Sequence, residues 1–314
     1  MTRGAHGRAE QHAGGQQALE PNSRCGRPLV GAVAGEAVAA LVSSRLLSTL
    51  PGHVPGGAER WERTNHRGET VTLLEGPAAV GALGAGLLAA RVIGGPQGGS
   101  PLPGLVAAIG SGLAGGVDDL IGATDTKGLG GHLRALTRGE VTTGAVKIGA
   151  IGASGLAAAV LAGGDGRRTS GTGRLQAMVD GAFIAGSANL MNLFDLRPGR
   201  ALKVSALTAG AMSVATRRYD AEPAVAVGAS LGLMRDDLAE RAMLGDTGAN
   251  ALGAVLAVGA VRRWSPRARL AGLVTVAAAT LASERVSFTK VIADTPGLRH
   301  LDQLGRRAPE PTQR

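Results

Sequence analysis

The recurrence of nearly charge-free apolar stretches, separated by short polar breaks, most limits what this chain can fold into. The stretches are Leu29–Leu50 (interrupted by Glu36 and Arg45), Pro77–Gly94, Leu102–Val117, Ile148–Gly164 and Gln176–Phe194. They continue at Val204–Thr216, Pro223–Met234, Thr247–Val261 and Leu270–Ser283. None alternates apolar and polar residues with the period of two that marks a half-buried strand, and their Ala and Leu content favours helix. Several are shorter than the roughly 20 residues that cross a bilayer, and by length alone would read as core helices of a soluble protein. A soluble bundle would need polar faces on its helices, and these segments have almost none. Small-residue runs such as Gly81–Gly86 instead suit close helix packing within a membrane. The expected fold is all-α: a polytopic membrane bundle of about nine to ten transmembrane helices.

Composition removes other classes. With Cys25 as the single cysteine in 314 residues, a disulfide scaffold is excluded. A net charge of +9 would suit nucleic acid, but the basic residues are scattered singly and the chain holds only two Trp, one Tyr and three Phe. Basic patches with interleaved aromatics are therefore missing, and no nucleic-acid partner is expected. Residues 1–28, rich in Gly, Gln, Arg and His, read as a disordered tail without the order of a signal peptide. Residues 29–305 read as the membrane domain and 306–314 as a polar tail; the whole stretch from Glu284 onward reads as solvated.

Chemistry-bearing residues gather at the ends of the apolar segments. Asp118-Asp119 closes one of them, followed by Asp125-Thr126-Lys127-Gly128-Leu129. Adjacent carboxylates there are costly unless a cation or water compensates them. Nearby, Gly110-Ser111-Gly112-Leu113-Ala114-Gly115 matches the spacing of a dinucleotide-binding fingerprint, but it lies inside an apolar helical run without strand–turn–helix context and reads as helix-packing glycine. Asn189, Asn192 and Asp195 fall three residues apart at the end of another segment, on roughly one helical face. Gly245-Asp246-Thr247-Gly248 forms a tight turn before the eighth segment, where Asp246 is an N-cap candidate.

In this order the three clusters resemble the polyprenyl-phosphate phosphosugar transferases (glycosyltransferase family 4), the membrane family of the bacterial phospho-MurNAc-pentapeptide and phospho-GlcNAc transferases. That family carries an Asp-Asp motif after its third span, Asn-x-x-Asn-x-x-Asp after its fifth and Gly-Asp-Thr-Gly before its eighth. Arg63–Gly68 resembles its first cytoplasmic loop more loosely, and Lys127-Gly128-Leu129 its basic segment. Two features depart from the pattern: Pro198 stands where a second aspartate is usual, and the late histidine-rich loop is reduced to Arg299-His300.

The resemblance implies transfer of a sugar-1-phosphate from a UDP-sugar to polyprenyl phosphate with release of UMP, in cell-envelope polysaccharide synthesis. It implies Mg²⁺ as cofactor with Asp246 as metal ligand, and Asp118 and Asp119 as catalytic residues near the lipid phosphate. Lys127, Asn192, Asp195, Arg197 and His300 would bind substrate. Alternating the segments across a membrane puts 51–76, 118–144, 195–200, 235–247 and the tail from Glu284 on one face, expected to be cytoplasmic in the plasma membrane. The pairs Arg167-Arg168, Arg217-Arg218 and Arg262-Arg263 fall opposite, so the charge rule supports this orientation only mildly. Membrane lipid is an expected partner, and a homodimer is left open. Two other readings stand beside the enzyme: a non-catalytic relative that binds polyprenyl phosphate or scaffolds envelope synthesis, and a small-solute transporter using Glu36 and Arg45.

Overall fold

Each of the nine apolar segments lies almost wholly within one long helix. The computed structural model describes residues 23–54, 56–65, 67–121, 137–139, 142–163 and 170–308. Among them the long helices are α1 (Ser23–Thr49), α2 (Glu75–Gly94), α3 (Leu102–Ile121), α4 (Thr143–Gly163) and α5 (Gly171–Phe194). Then come α6 (Arg200–Thr216), α7 (Ala221–Leu238), α8 (Gly245–Arg263) and α9 (Pro266–Ser283), with two short helices, α10 (Phe288–Asp294) and α11 (Pro296–Gln303), at the end. The described part of the chain is thus overwhelmingly helical. Helix α1 already holds Ser23–Pro28, which the sequence pattern assigns to the N-terminal tail, with Pro28 inside it.

Helix α8 is the axis of the bundle. Nearly every residue from Thr247 to Val261 is buried, and α2, α3, α5 and α7 pack around it. A helix that is small and apolar on all sides, as Ala249-Asn250-Ala251-Leu252-Gly253-Ala254-Val255 nearly is, can only be stable where it is enclosed on all sides. Close approach is set by glycine: a Cβ on Gly115 would strike the Asp246 carbonyl, and one on Gly112 would strike Val80. The glycines of the fingerprint-like stretch are therefore packing residues, as their context requires.

The outer surface is apolar. Leu41, Val92, Leu113, Leu175, Met178, Leu207, Val214 and Val274, drawn from α1, α2, α3, α5, α6 and α9, are all more than half exposed, as side chains that face lipid would be. Four helical stretches, Gly26–Gly52, Glu75–Gly94, Leu102–Ile121 and Thr143–Gly163, are long and apolar enough to cross a membrane. A fifth passes when α9 and α10 are taken together, across a bend of 92°. Length and composition thus place the chain among membrane proteins.

One element was not expected from the apolar pattern. β1 (Glu62–Thr64) and β2 (Thr70–Thr72) form an antiparallel hairpin with Arg63 opposite Val71. β2 continues the pairing into the segment before α8: Thr72 N–H donates to the Arg241 carbonyl (3.3 Å), and Met243 N–H to the Thr72 carbonyl (2.8 Å). The turn is held by Asn65 and Arg67, both bonded to the buried Glu240 carboxylate, with Arg67 Nε at 3.0 Å from each oxygen. The hairpin therefore sets where the Gly245–Gly248 turn begins.

The tail from Glu284 is not merely solvated. It forms α10 and α11, and these are fastened across the same end of the bundle as the hairpin. Arg200, at the start of α6, donates to Asp302 (2.6 and 3.2 Å) and to Thr289 Oγ1 (2.9 Å), and Phe288 stacks on Phe194 at 5.4 Å. Arg307 pairs with Glu69 at 2.7 Å, so the polar tail is anchored at its start.

Candidate active site

The start of α8 is where the motifs meet. Leu244 supplies no side-chain cap, and Gly245 takes a left-handed φ of 63°, which turns the chain sharply into the helix. The orphan amides are satisfied from another helix. Asp119, in the last turn of α3, accepts Asp246 N–H (3.1 Å), Thr247 N–H (2.9 Å) and the Thr247 hydroxyl (2.6 Å). A carboxylate at a helix N-terminus also meets the positive end of the helix dipole. Asp246 lies inside the helix and is not its N-cap; Asp119 fills that role across a separation of 127 residues.

With the cap supplied elsewhere, the Asp246 carboxylate is free for a different partner. That partner is Lys147, near the start of α4, whose ammonium contacts both Asp246 and Asp118 (3.0 Å to the latter). Lys147 is only 15% exposed, against 33% for Asp118 and 21% for Asp246. The ammonium thus bridges carboxylates from α3 and α8. Arg63 of the hairpin donates to the Asp119 carbonyl and ties β1 to the same helix end.

A second group of carboxylates lies deeper on the other side of the α8 start. Asp195, at the C-terminus of α5, is 8% exposed and lies within electrostatic reach of the Gly245 backbone amide. Burial, and then the neighbouring Asp237 charge, push its carboxyl well above the usual carboxylate range against the pull of that amide. Asp237, in the last turn of α7 beyond the apolar segment, is buried within electrostatic reach of the Gly199 backbone amide. Its carboxyl is pushed up to about 7, chiefly by burial. Gly199 itself has φ 70°, and a Cβ there would strike Leu238, so both backbone and space demand glycine. Glu75, the first residue of α2, is fully buried within electrostatic reach of Asp195 and Asp237, and neither of its oxygens has a hydrogen-bond partner among the described residues.

Of the residues singled out from sequence, Asp118, Asp119, Asp195 and Asp246 are brought to this one end of the bundle. Asn192 is half-buried one turn before Asp195, whose N–H bonds the Asn192 carbonyl (3.0 Å). Arg197 and Pro198 form the turn between α5 and α6, and the Arg197 carbonyl accepts the Arg200 N–H. His300 is exposed on α11, and among the described residues its ring makes no hydrogen bond or ion pair with the carboxylates. Lys127 lies outside the described residues. Sequence reasoning missed Lys147, Glu75 and Asp237. The first two carried a faint signal, as lone charges within a few residues of an apolar stretch.

The donor set bears on the expected metal. Among the described residues no three His, Cys, Asp or Glu side chains gather to enclose an ion. Asp118 and Asp246 do converge on one ammonium at a partly exposed position. Two carboxylates with water completing the shell is a donor set that suits Mg²⁺.

No model of a known protein family matches this chain, and no curated protein matches it.

Proposed function

We propose that this chain is a membrane transferase that moves a sugar-1-phosphate from a UDP-sugar to polyprenyl phosphate. The observation that carries the reading is the Lys147 bridge between Asp118 and Asp246, beside a helix start capped by Asp119. An oxygen of the lipid phosphate attacks the β-phosphorus of the UDP-sugar, the P–O bond to the α-phosphate breaks, and UMP leaves with the electron pair. Chemistry of this type needs positioning and charge neutralisation more than a covalent relay. Mg²⁺ held by Asp118 and Asp246 would supply neutralisation of the diphosphate.

The chain's own residues divide the remaining work. Lys147 offers a positive charge that can turn from the carboxylates to phosphate oxygens. Asp119 is a positioning residue, because both of its oxygens are committed to the first amides of α8. Those amides are thus occupied, and phosphate binding falls to Lys147 rather than to the helix N-terminus. Asp195 stays buried close to the Gly245 amide at the start of α8. In this reading all nine long helices cross the plasma membrane, with the hairpin, the carboxylates and the C-terminal helices on the cytoplasmic face.

One observation favours the non-catalytic alternative. Asp195, expected to bind substrate, is buried at 8% exposure, and Pro198 stands where the second carboxylate of that loop is usual. A protein of this kind would bind polyprenyl phosphate at Lys147 without turnover. The transporter reading has less to stand on, since Glu36 bonds the Tyr219 hydroxyl and Arg45 is exposed. The test is incubation of purified protein with polyprenyl phosphate, Mg²⁺ and a panel of UDP-sugars. Release of UMP that is lost in Asp246→Asn supports the enzyme. Binding of polyprenyl phosphate with no UMP from any donor supports the alternative.

A further inference from the structure

The C-terminal helices present a second, separate feature. The chain turns by 92° between α9 and α10, so if α9 crosses a membrane, α10 leaves it close to the membrane plane. The inner side of this pair is spoken for: Asp302 and Thr289 bond Arg200, Lys203 donates to the Leu301 and Asp302 carbonyls, and Phe288 stacks on Phe194. What remains is an amphipathic surface. Leu298, Leu301 and Leu304 recur every three residues, share one face of α11 and its C-terminal cap, and are 45%, 46% and 58% exposed. Arg299 and Gln303 occupy the opposite face. Val291 on α10 adds a further exposed apolar side chain; Arg285, Lys290 and Arg299 are exposed basic groups of the same segment, and Arg299 also reaches the Ala293 carbonyl (3.4 Å).

An apolar stripe with basic residues on its polar side, set at a right angle to the long apolar helix α9, has the chemistry of a helix lying in the headgroup region. We propose that α10–α11 is an interfacial strap that binds acidic phospholipid. The leucines enter the acyl boundary, and Arg285, Lys290 and Arg299 contact anionic headgroups. Arg200 and Phe288 fasten the strap beside the 195–200 turn, at the end of the bundle that holds the carboxylates. The proposal requires that α9 cross a membrane; it does not require transferase activity.

The test uses the full chain in nanodiscs, on a Cys25→Ser background, with a bimane label at Leu301→Cys, Gln303→Cys or Leu113→Cys. Quenching is read from doxyl groups placed near the head or deep in the acyl chain, and from soluble iodide. The expected result is shallow-doxyl quenching at Leu301→Cys and iodide quenching at Gln303→Cys. Replacing part of the neutral lipid by phosphatidylglycerol should raise the lipid quenching on the order of twofold. Arg285→Gln/Lys290→Gln/Arg299→Gln should abolish that rise. Iodide quenching at Leu301→Cys equal to that at Gln303→Cys overturns the proposal, as does indifference to phosphatidylglycerol. So does pyrene excimer emission at Leu301→Cys without lipid quenching, which assigns the stripe to a second copy of the chain. Leu113→Cys, at the middle of α3, separates the two levels: if it too escapes deep-doxyl quenching, the membrane reading itself fails.

Discussion

Asp119 on α3 and Thr247 on α8 form a double hydrogen bond, with one carboxylate accepting both the backbone amide (2.9 Å) and the hydroxyl (2.6 Å) of the same threonine. This places the Asp-Asp and Gly-Asp-Thr-Gly motifs in one structural unit. Thr247→Val removes the hydroxyl donor and should cost about 1 kcal/mol, while Asp119→Ala, which strips a charged cap, should cost about 1–3 kcal/mol. The pair acts through a shared contact, so the double variant should fall short of additivity by about 0.5 kcal/mol or more. Reversible unfolding in detergent reads all three; strict additivity would mean that the two residues do not interact.

Lys147 holds two carboxylates that would otherwise repel each other and attract a cation. Lys147→Met should therefore tighten Mn²⁺ binding, followed by electron paramagnetic resonance, on the order of tenfold. If Lys147 also serves phosphate, the same variant should lower UMP release at least about a hundredfold. Opposite movement of these two readouts is the signature expected. Weaker metal binding in the variant would show that Asp118 and Asp246 do not form a cation site.

Burial sets the pH response through Asp237. Its carboxyl rises from an ordinary value of 3.8 to about 7 in the folded chain, so between these values the native state holds a proton that the unfolded state has lost. Unfolding free energy then falls as pH rises through this window, by at most about 1.4 kcal/mol per pH unit from this group. Asp195, raised in the same direction, adds to the slope. Melting temperature in detergent should drop from pH 5 to pH 8, and Asp237→Asn, which keeps the side chain's shape but cannot ionise, should flatten the curve. An unchanged slope in that variant would assign the effect elsewhere.

Sidedness is open to direct measurement. Leu196, in the turn after Asp195, is 61% exposed at the carboxylate end, and Gln97, after α2, is exposed at the other end. On a Cys25→Ser background, an impermeant thiol reagent applied to intact cells should label Gln97→Cys and spare Leu196→Cys until the cells are opened. The reverse pattern would place the carboxylates outside and remove cytoplasmic UDP-sugar as donor.

The ends of the charge-free segments already marked most of the architecture. Segments such as Leu102–Val117 and Thr247–Val261 offer the backbone no polar competitor and the solvent no charge, so helix formation and burial follow from local composition. Three motifs at segment ends likewise pointed to one face, and their carboxylates do gather at one end of the bundle. What composition could not decide was which carboxylate does what. Asp246 looked like a cap, yet its helix is capped by Asp119, because a cap is chosen by which helix packs alongside. Lys147 precedes the apolar run that starts at Ile148, and only the packing of α3, α4 and α8 puts it between two acids. Glu75 and Asp237 are charged in sequence and buried in space, a state that only neighbouring helices can impose. Composition alone determined the helices and the end of the bundle where charge collects. Tertiary packing assigned the partners, since hydrogen bonds and ion pairs between residues a hundred positions apart exist only once glycine-lined helices have closed on one another.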